Sequence, residues 1–277
     1  MQSWLQAYNS RSIQLLHCIL QSIKRRKTCR CKINMKSPLK YIGSKNIDLN
    51  KYNINQSNIY CEAFGGGFNT GLNIIEQGFQ EEINKEVIYN DLDTKVYNFW
   101  KQLQTDPVKL ITEIDNIINN DKISDDCSKE IQDAATEFIY RKNLKLGHGK
   151  NKTRYSSFID MELVITSEII QNIEIYNKSV FSLFEDGEIG HKLNNKDAFI
   201  LFDPPYIANN VDRYYRCNSS EFEHYKLSKL LRGLKSRWLL TYNNKPIIRE
   251  LYADYNIEEK HKTLYNRDYI ELYITNF

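Results

Sequence analysis

Asp203-Pro204-Pro205-Tyr206 closes the apolar run Ala198-Phe199-Ile200-Leu201-Phe202. An acid at a strand end, two prolines of fixed φ and an aromatic ring together suit the gripping of a flat, aminated ring. The Asp203 carboxylate and the Pro204 carbonyl can accept hydrogen bonds from one exocyclic NH2 while Tyr206 stacks on the ring face. Two acceptors on one amino group draw its lone pair out of conjugation and aim it at an electrophile. Asp203 then works by positioning and by stabilising an amine that turns positive, without first taking its proton. A rigid Pro-Pro turn beside an ordinary half-buried aromatic explains the same four residues equally well. The rest of the chain decides between the two.

Three further segments carry patterns of their own. Ser37–Lys45 holds a Gly-Ser turn and ends on Lys45. Residues 59–64 read as a buried strand that runs into Gly65-Gly66-Gly67 and a helix from about 69 to 77. Strand, glycine turn, helix is how an α/β fold brings backbone N–H groups against a cofactor, although such turns are common and the spacing is not GxGxxG. A second strand, Val87–Asp91, ends in an acid, placed either to accept both hydroxyls of a ribose or to cap the helix expected over 94–103. After Asp203 the pattern predicts a helix over 221–234, a strand over 238–242, a helix over 246–253 and a closing hairpin of 257–265 with 269–275.

Residues 106–196 have another character. Helices are expected over 107–119 and 128–140, followed by a run with six Lys or Arg and no acid within 141–154. Such a run is either a solvated loop or one that meets phosphates and places a few side chains at base edges.

Composition bounds the classes. At 277 residues the chain is long enough for one large domain, and no apolar run approaches the roughly 20 residues of a membrane span. Its six cysteines form no CxxC pair, which favours reduced thiols over a disulfide framework or a zinc site. The formal charge of +3 misleads, because residues 1–34 hold seven Lys/Arg and no acid. Without them the balance is −4, so any nucleic-acid binding must come from a local patch. That basic leader reads as a transit peptide, a nucleic-acid tail or sequence upstream of a start at Met35, and is expected to be disordered or not native.

In this order the segments resemble the Dam-type DNA adenine-N6 methyltransferases, the α group of enzymes that use S-adenosylmethionine (SAM). PLKYIGSK is similar to the family's first motif, CEAFGGG to its glycine loop, and YNDLDTKVYNFWKQL to the stretch that follows. DPPY is its catalytic tetrapeptide, and SSEFEHYKLSKLL and WLLTYNN resemble the helix and strand after it. The resemblance spans about Ser37 to Phe277. It implies a Rossmann-like α/β fold with a mostly parallel sheet over 35–105 and 197–277, and a smaller helical target-recognition insertion over 106–196.

The same resemblance implies site-specific methylation of a flipped-out adenine at N6 by direct in-line attack, without a metal. Asp203, Pro204 and Tyr206 would be catalytic. Tyr41, Lys45, Phe64, Gly65, Gly67, Asp91 and Asp203 would bind SAM. Arg141, Lys142, Lys150, Lys152 and Arg154 are the DNA-contact candidates. Double-stranded DNA is the expected partner, in the cytoplasm, with a monomer or weak dimer as the expected state. A cognate restriction endonuclease and a solitary role both stay open. Two departures stand out: Ala63 replaces the usual proline, and Asn177–Phe181 lacks the acid that commonly seats the SAM adenine, leaving Ser179 or Glu185 as substitutes. The alternatives are a non-catalytic DNA-binding relative and a methyltransferase acting on RNA adenine, cytosine N4 or a protein amide.

Overall fold

The computed structural model describes residues 36–41, 45, 47, 50–79, 85–120, 123–144, 157–207, 223–264 and 267–277. The basic leader and Lys150, Lys152 and Arg154 lie outside the described residues. Among the described residues no helix is long and apolar enough to cross a membrane.

Seven strands form one sheet: β1 Ile59–Glu62, β2 Glu86–Asn90, β3 Glu174–Tyr176, β4 Ala198–Phe202, β5 Arg237–Asn243, β6 Asn256–Leu264 and β7 Arg267–Thr275. Their order is β3-β2-β1-β4-β5-β7-β6, with the first five parallel and the closing hairpin antiparallel. The central strands β1 and β4 are buried along their whole length, as expected of parallel strands covered on both faces. Alternation divides their side chains. Tyr60, Phe199 and Leu201 enter one apolar cluster, while Cys61, Ile200 and Phe202 enter the other. Each large side chain buried in this way stabilises the fold by about 1.5–3 kcal/mol.

The first cluster is covered by helices α1 Asn69–Glu76, α2 Thr94–Thr105, α3 Pro107–Asn120, α4 Lys129–Leu144 and α5 Ser157–Ile169. In α2, Val96, Phe99, Trp100 and Leu103 supply the buried stripe at helical spacing. Asp93 starts that helix by accepting the Lys95 N–H at 3.0 Å. Phe99 stacks on Phe138 of α4 at 5.6 Å, which ties the helical region to the sheet. The second cluster lies under α6 Val180–Glu185, α7 Gly187–Leu193, α8 His224–Gly233 and α9 Pro246–Leu251.

The stretch 106–196 contributes both to the sheet and to its helical cover. Its last third supplies β3, paired in parallel with β2, and then α6 and α7 against the sheet. Its helices share one apolar cluster with β1, β2 and β4 instead of forming a separate core. The three residues of β3 are only half-buried, so they carry no long apolar run by which a strand is recognised.

Chain order reverses between β1 and β4, which are neighbours in the sheet. The glycine loop after β1 and the tetrapeptide after β4 therefore leave the sheet side by side, at the point where open α/β sheets bind their ligands.

Candidate active site

Two clusters meet at this crevice. The first is the glycine loop. Gly65 donates its N–H to the Asn90 carbonyl at 2.7 Å, which ties the loop to the end of β2. A Cβ on Gly65 would lie 2.1 Å from the Tyr89 ring, so no larger residue fits. Gly66 has a φ of +46°, a region L side chains avoid. Its N–H donates to Asp91 Oδ2 at 2.7 Å, and its carbonyl accepts from the Trp100 indole at 2.9 Å and the Tyr89 hydroxyl at 3.1 Å. Tyr41 packs against the loop, for a Cβ on Gly66 or Gly67 would fall within 2.9 Å of its atoms. Phe64 is half-buried and meets Phe202 edge-on.

Asp91 sits at the tip of β2, almost wholly buried. Its Oδ2 takes the Gly66 N–H, and its Oδ1 takes that of Asp93 at 2.8 Å. Burial pushes its carboxyl up to about 6, against the pull of those two donors. Capacity remains on each oxygen for another donor. The helix cap falls to Asp93, two residues on, which resolves the two readings of Asp91 as a cap or a ligand group against the cap. Leu92, between them, is 55% exposed at the mouth of the crevice.

The second cluster surrounds Asp203. Lys45 Nζ lies 3.0 Å from Asp203 Oδ2 and 3.0 Å from Glu271 Oε1. Burial alone would lower the Lys45 ammonium, yet Asp203 and Glu271 outweigh it and hold it above its usual range. Thr241 on β5 donates its hydroxyl to Asp203 Oδ1 at 2.5 Å. Tyr206 donates its hydroxyl to Glu271 Oε1 at 2.5 Å, and its ring lies 5.9 Å from that of Tyr242 and 5.1 Å from the Lys45 ammonium. Glu271, on β7, also binds Lys262. Burial would raise its carboxyl, but Lys45 first, then Lys262 and Tyr206, draw it below the usual range.

Tyr41, Phe64, Gly65, Gly67 and Asp91 thus stand at the glycine loop after β1, and Lys45, Asp203, Pro204 and Tyr206 at the end of the neighbouring β4. Lys45 approaches Asp203, Glu271 and the Tyr206 ring, and so belongs to the second cluster. One of the DNA-contact candidates, Arg141, is a buried residue. It is 2% exposed on α4, its Nε lies 2.7 Å from Glu137 and its guanidinium 4.2 Å over the Tyr41 ring. A charge so enclosed spends donors on carboxylates inside the protein. Lys142 is half-buried, 3.5 Å from Glu162. Ser179 caps α6 by accepting the Ser182 N–H, and Glu185 is exposed on the same helix.

Sequence reasoning missed Glu271, Thr241 and Asn90. Asn90 donates its amide to the carbonyls of Ala63 and Lys178, each at 3.0 Å, and accepts the Lys178 N–H, stitching two loops together. Its place beside Asp91 was a usable signal, whereas Glu271 had none. His224 lies with Nδ1 2.6 Å from the Tyr242 hydroxyl. Among the described residues no three His, Cys, Asp or Glu side chains gather to hold a metal ion.

Comparison with known proteins agrees with this geometry. Residues 136–265 match the family model described as D12 class N6 adenine-specific DNA methyltransferase. The chain is 25% identical over 219 residues to the type II methyltransferase M1.LlaDCHI of Lactococcus lactis subsp. cremoris, covering 68% of this chain and 76% of that protein.

Proposed function

We propose that this chain, whose residues 136–265 match the D12 class N6 adenine-specific DNA methyltransferase model, moves a methyl group from SAM to N6 of an adenine turned out of a DNA duplex. The observation that carries the reading is the juxtaposition of a ligand cradle, Gly65 to Gly67 with Asp91, and the Asp203–Tyr206 grip at one switch point. The cradle suits the donor. Its glycines leave no side chain between backbone and ligand, and Asp91 has lone pairs left for the two hydroxyls of a ribose. Exposed Leu92 offers an apolar surface for a nucleobase.

When bound, SAM supplies a methyl group carried on a sulfonium, ready for a nucleophile. The protein's task is to prepare that nucleophile. Asp203 Oδ1 and the Pro204 carbonyl accept hydrogen bonds from the adenine amino group, and Tyr206 stacks on its ring. Lys45 and Thr241 fix the Asp203 carboxylate from behind, each leaving lone pairs unused. Glu271 anchors the Tyr206 hydroxyl and so sets the plane of the stacking ring. As the amine becomes positive, the Asp203 carboxylate stabilises it without having to ionise at that moment.

Double-stranded DNA is the proposed acceptor. A type II relative favours a restriction-modification setting, with a cognate endonuclease as functional partner. Lys142, Lys150, Lys152 and Arg154 remain the proposed phosphate and base contacts. The test is labelled-methyl transfer to duplex DNA, single-stranded RNA and protein, followed by nucleoside analysis. Label in N6-methyl-2′-deoxyadenosine of duplex DNA alone, lost in Asp203→Ala, is expected. Label in cytosine, RNA or protein would replace the proposed acceptor.

A further inference from the structure

Arg141 lies on α4, a helix within 106–196, and reaches the residues around the glycine loop. It falls on the buried stripe of α4 with Ile131, Ala134, Ala135 and Phe138. Its guanidinium plane covers the Tyr41 ring at 4.2 Å, its Nε lies 2.7 Å from Glu137, and its Nη2 is 3.8 Å from Asp93 Oδ2. On its other side Tyr41 packs against Gly66 and Gly67. Asp93 donates its own N–H to Asp91 Oδ1 at 2.8 Å and caps α2. One buried cation therefore touches the residue that backs the glycine loop and the residue that holds the carboxylate at the tip of β2.

Such an arrangement is costly unless it is needed, since a buried guanidinium loses its hydration and keeps only the partners the fold supplies. Lysine would keep the charge but lose the planar stack and the forked donors. We infer that Arg141 is a positioning residue of the donor pocket, pressing Tyr41 onto the glycine loop and holding Asp93 beside Asp91, so that α4 and the SAM site form one mechanical unit. This rests on the proposed SAM reading of the pocket.

The test compares wild-type protein, Arg141→Lys, Arg141→Gln, Tyr41→Leu and the double variant of Arg141→Lys with Tyr41→Leu by calorimetry with SAM and by fluorescence anisotropy on a mixed-sequence DNA duplex across a salt series. Arg141→Lys is expected to weaken SAM binding by about five- to tenfold, a part of one desolvated cation–π contact because lysine keeps the charge. DNA affinity and its salt slope stay unchanged. The double variant weakens SAM binding no further than Tyr41→Leu, because both act through one contact. In Arg141→Gln, which removes the charge that lysine keeps, a salt slope reduced by about one with SAM binding intact would make Arg141 a phosphate contact and overturn the inference. A lower melting temperature with both affinities intact would reduce it to a structural ion pair, and also overturn it. Wild-type protein that binds no SAM would remove the underlying reading and the inference with it, an outcome visible before any variant is made.

Discussion

The cradle and the grip are built from different materials. Around Gly66 the groups are backbone amides, an indole, a phenol and one carboxylate, joined in a closed set of hydrogen bonds inside the protein. Around Asp203 they are charges: Lys45 between Asp203 and Glu271, Lys262 behind Glu271, and a tyrosine hydroxyl on the same carboxylate. The first set has one low-energy arrangement and suits a surface that must hold a ligand in register. The second can redistribute its hydrogen bonds among several acceptors when a base arrives. Damage to the cradle should therefore appear in SAM affinity and folding, and damage to the grip in turnover.

The harshest test of this division is Glu271→Gln. It leaves Lys45 and Lys262 facing a neutral amide, and removing one partner of a buried pair costs about 3–5 kcal/mol. Chemical denaturation should register that loss. Turnover should fall far more than SAM affinity, and equal losses in both would erase the distinction between the two regions. Next comes Gly65→Ala, whose methyl group must displace the Tyr89 ring. It is expected to cost about 1–3 kcal/mol in stability and to weaken SAM binding in calorimetry. Smaller still, Trp100→Phe removes one donor to the Gly66 carbonyl, worth about 1 kcal/mol in a denaturant titration, and leaves turnover at saturating SAM unchanged.

Proton linkage sharpens the comparison. Burial raises Asp91 to about 6 and Glu62 to about 8. Both folded values exceed the unfolded carboxylate range near 4. The stability they contribute is complete below that range and is lost as pH rises through about 6 for Asp91 and about 8 for Glu62. Melting across pH should show both declines, with Asp91→Asn abolishing the first and Glu62→Gln the second. SAM affinity should move the other way near 6, because the ionised Asp91 is the better acceptor of ribose hydroxyls.

What was legible in the sequence was local. The glycine loop, the Asp91 strand tip and the Asp203 tetrapeptide each declare themselves within a few residues, and their strands carry apolar runs. Glu271 was silent because it joins Lys45 and Tyr206 only through strand order, across 65 residues or more of chain. The burial of Arg141 was hidden for a different reason. A basic run suggests a solvated surface, yet Arg141 continues the apolar stripe of α4 three residues after Phe138 and follows Glu137 by one turn. Periodicity, had it been extended into the charged run, pointed inward.

The central claim is that the two clusters work as one DNA adenine methyltransferase. The most direct measurement is to express the full chain in cells lacking adenine methylation and to read N6-methyladenine across their DNA by single-molecule sequencing, beside Asp203→Ala. Methylation confined to one short sequence, and absent from the Asp203→Ala cells, is the predicted result. Unmethylated DNA in cells that hold folded protein able to bind SAM would contradict it.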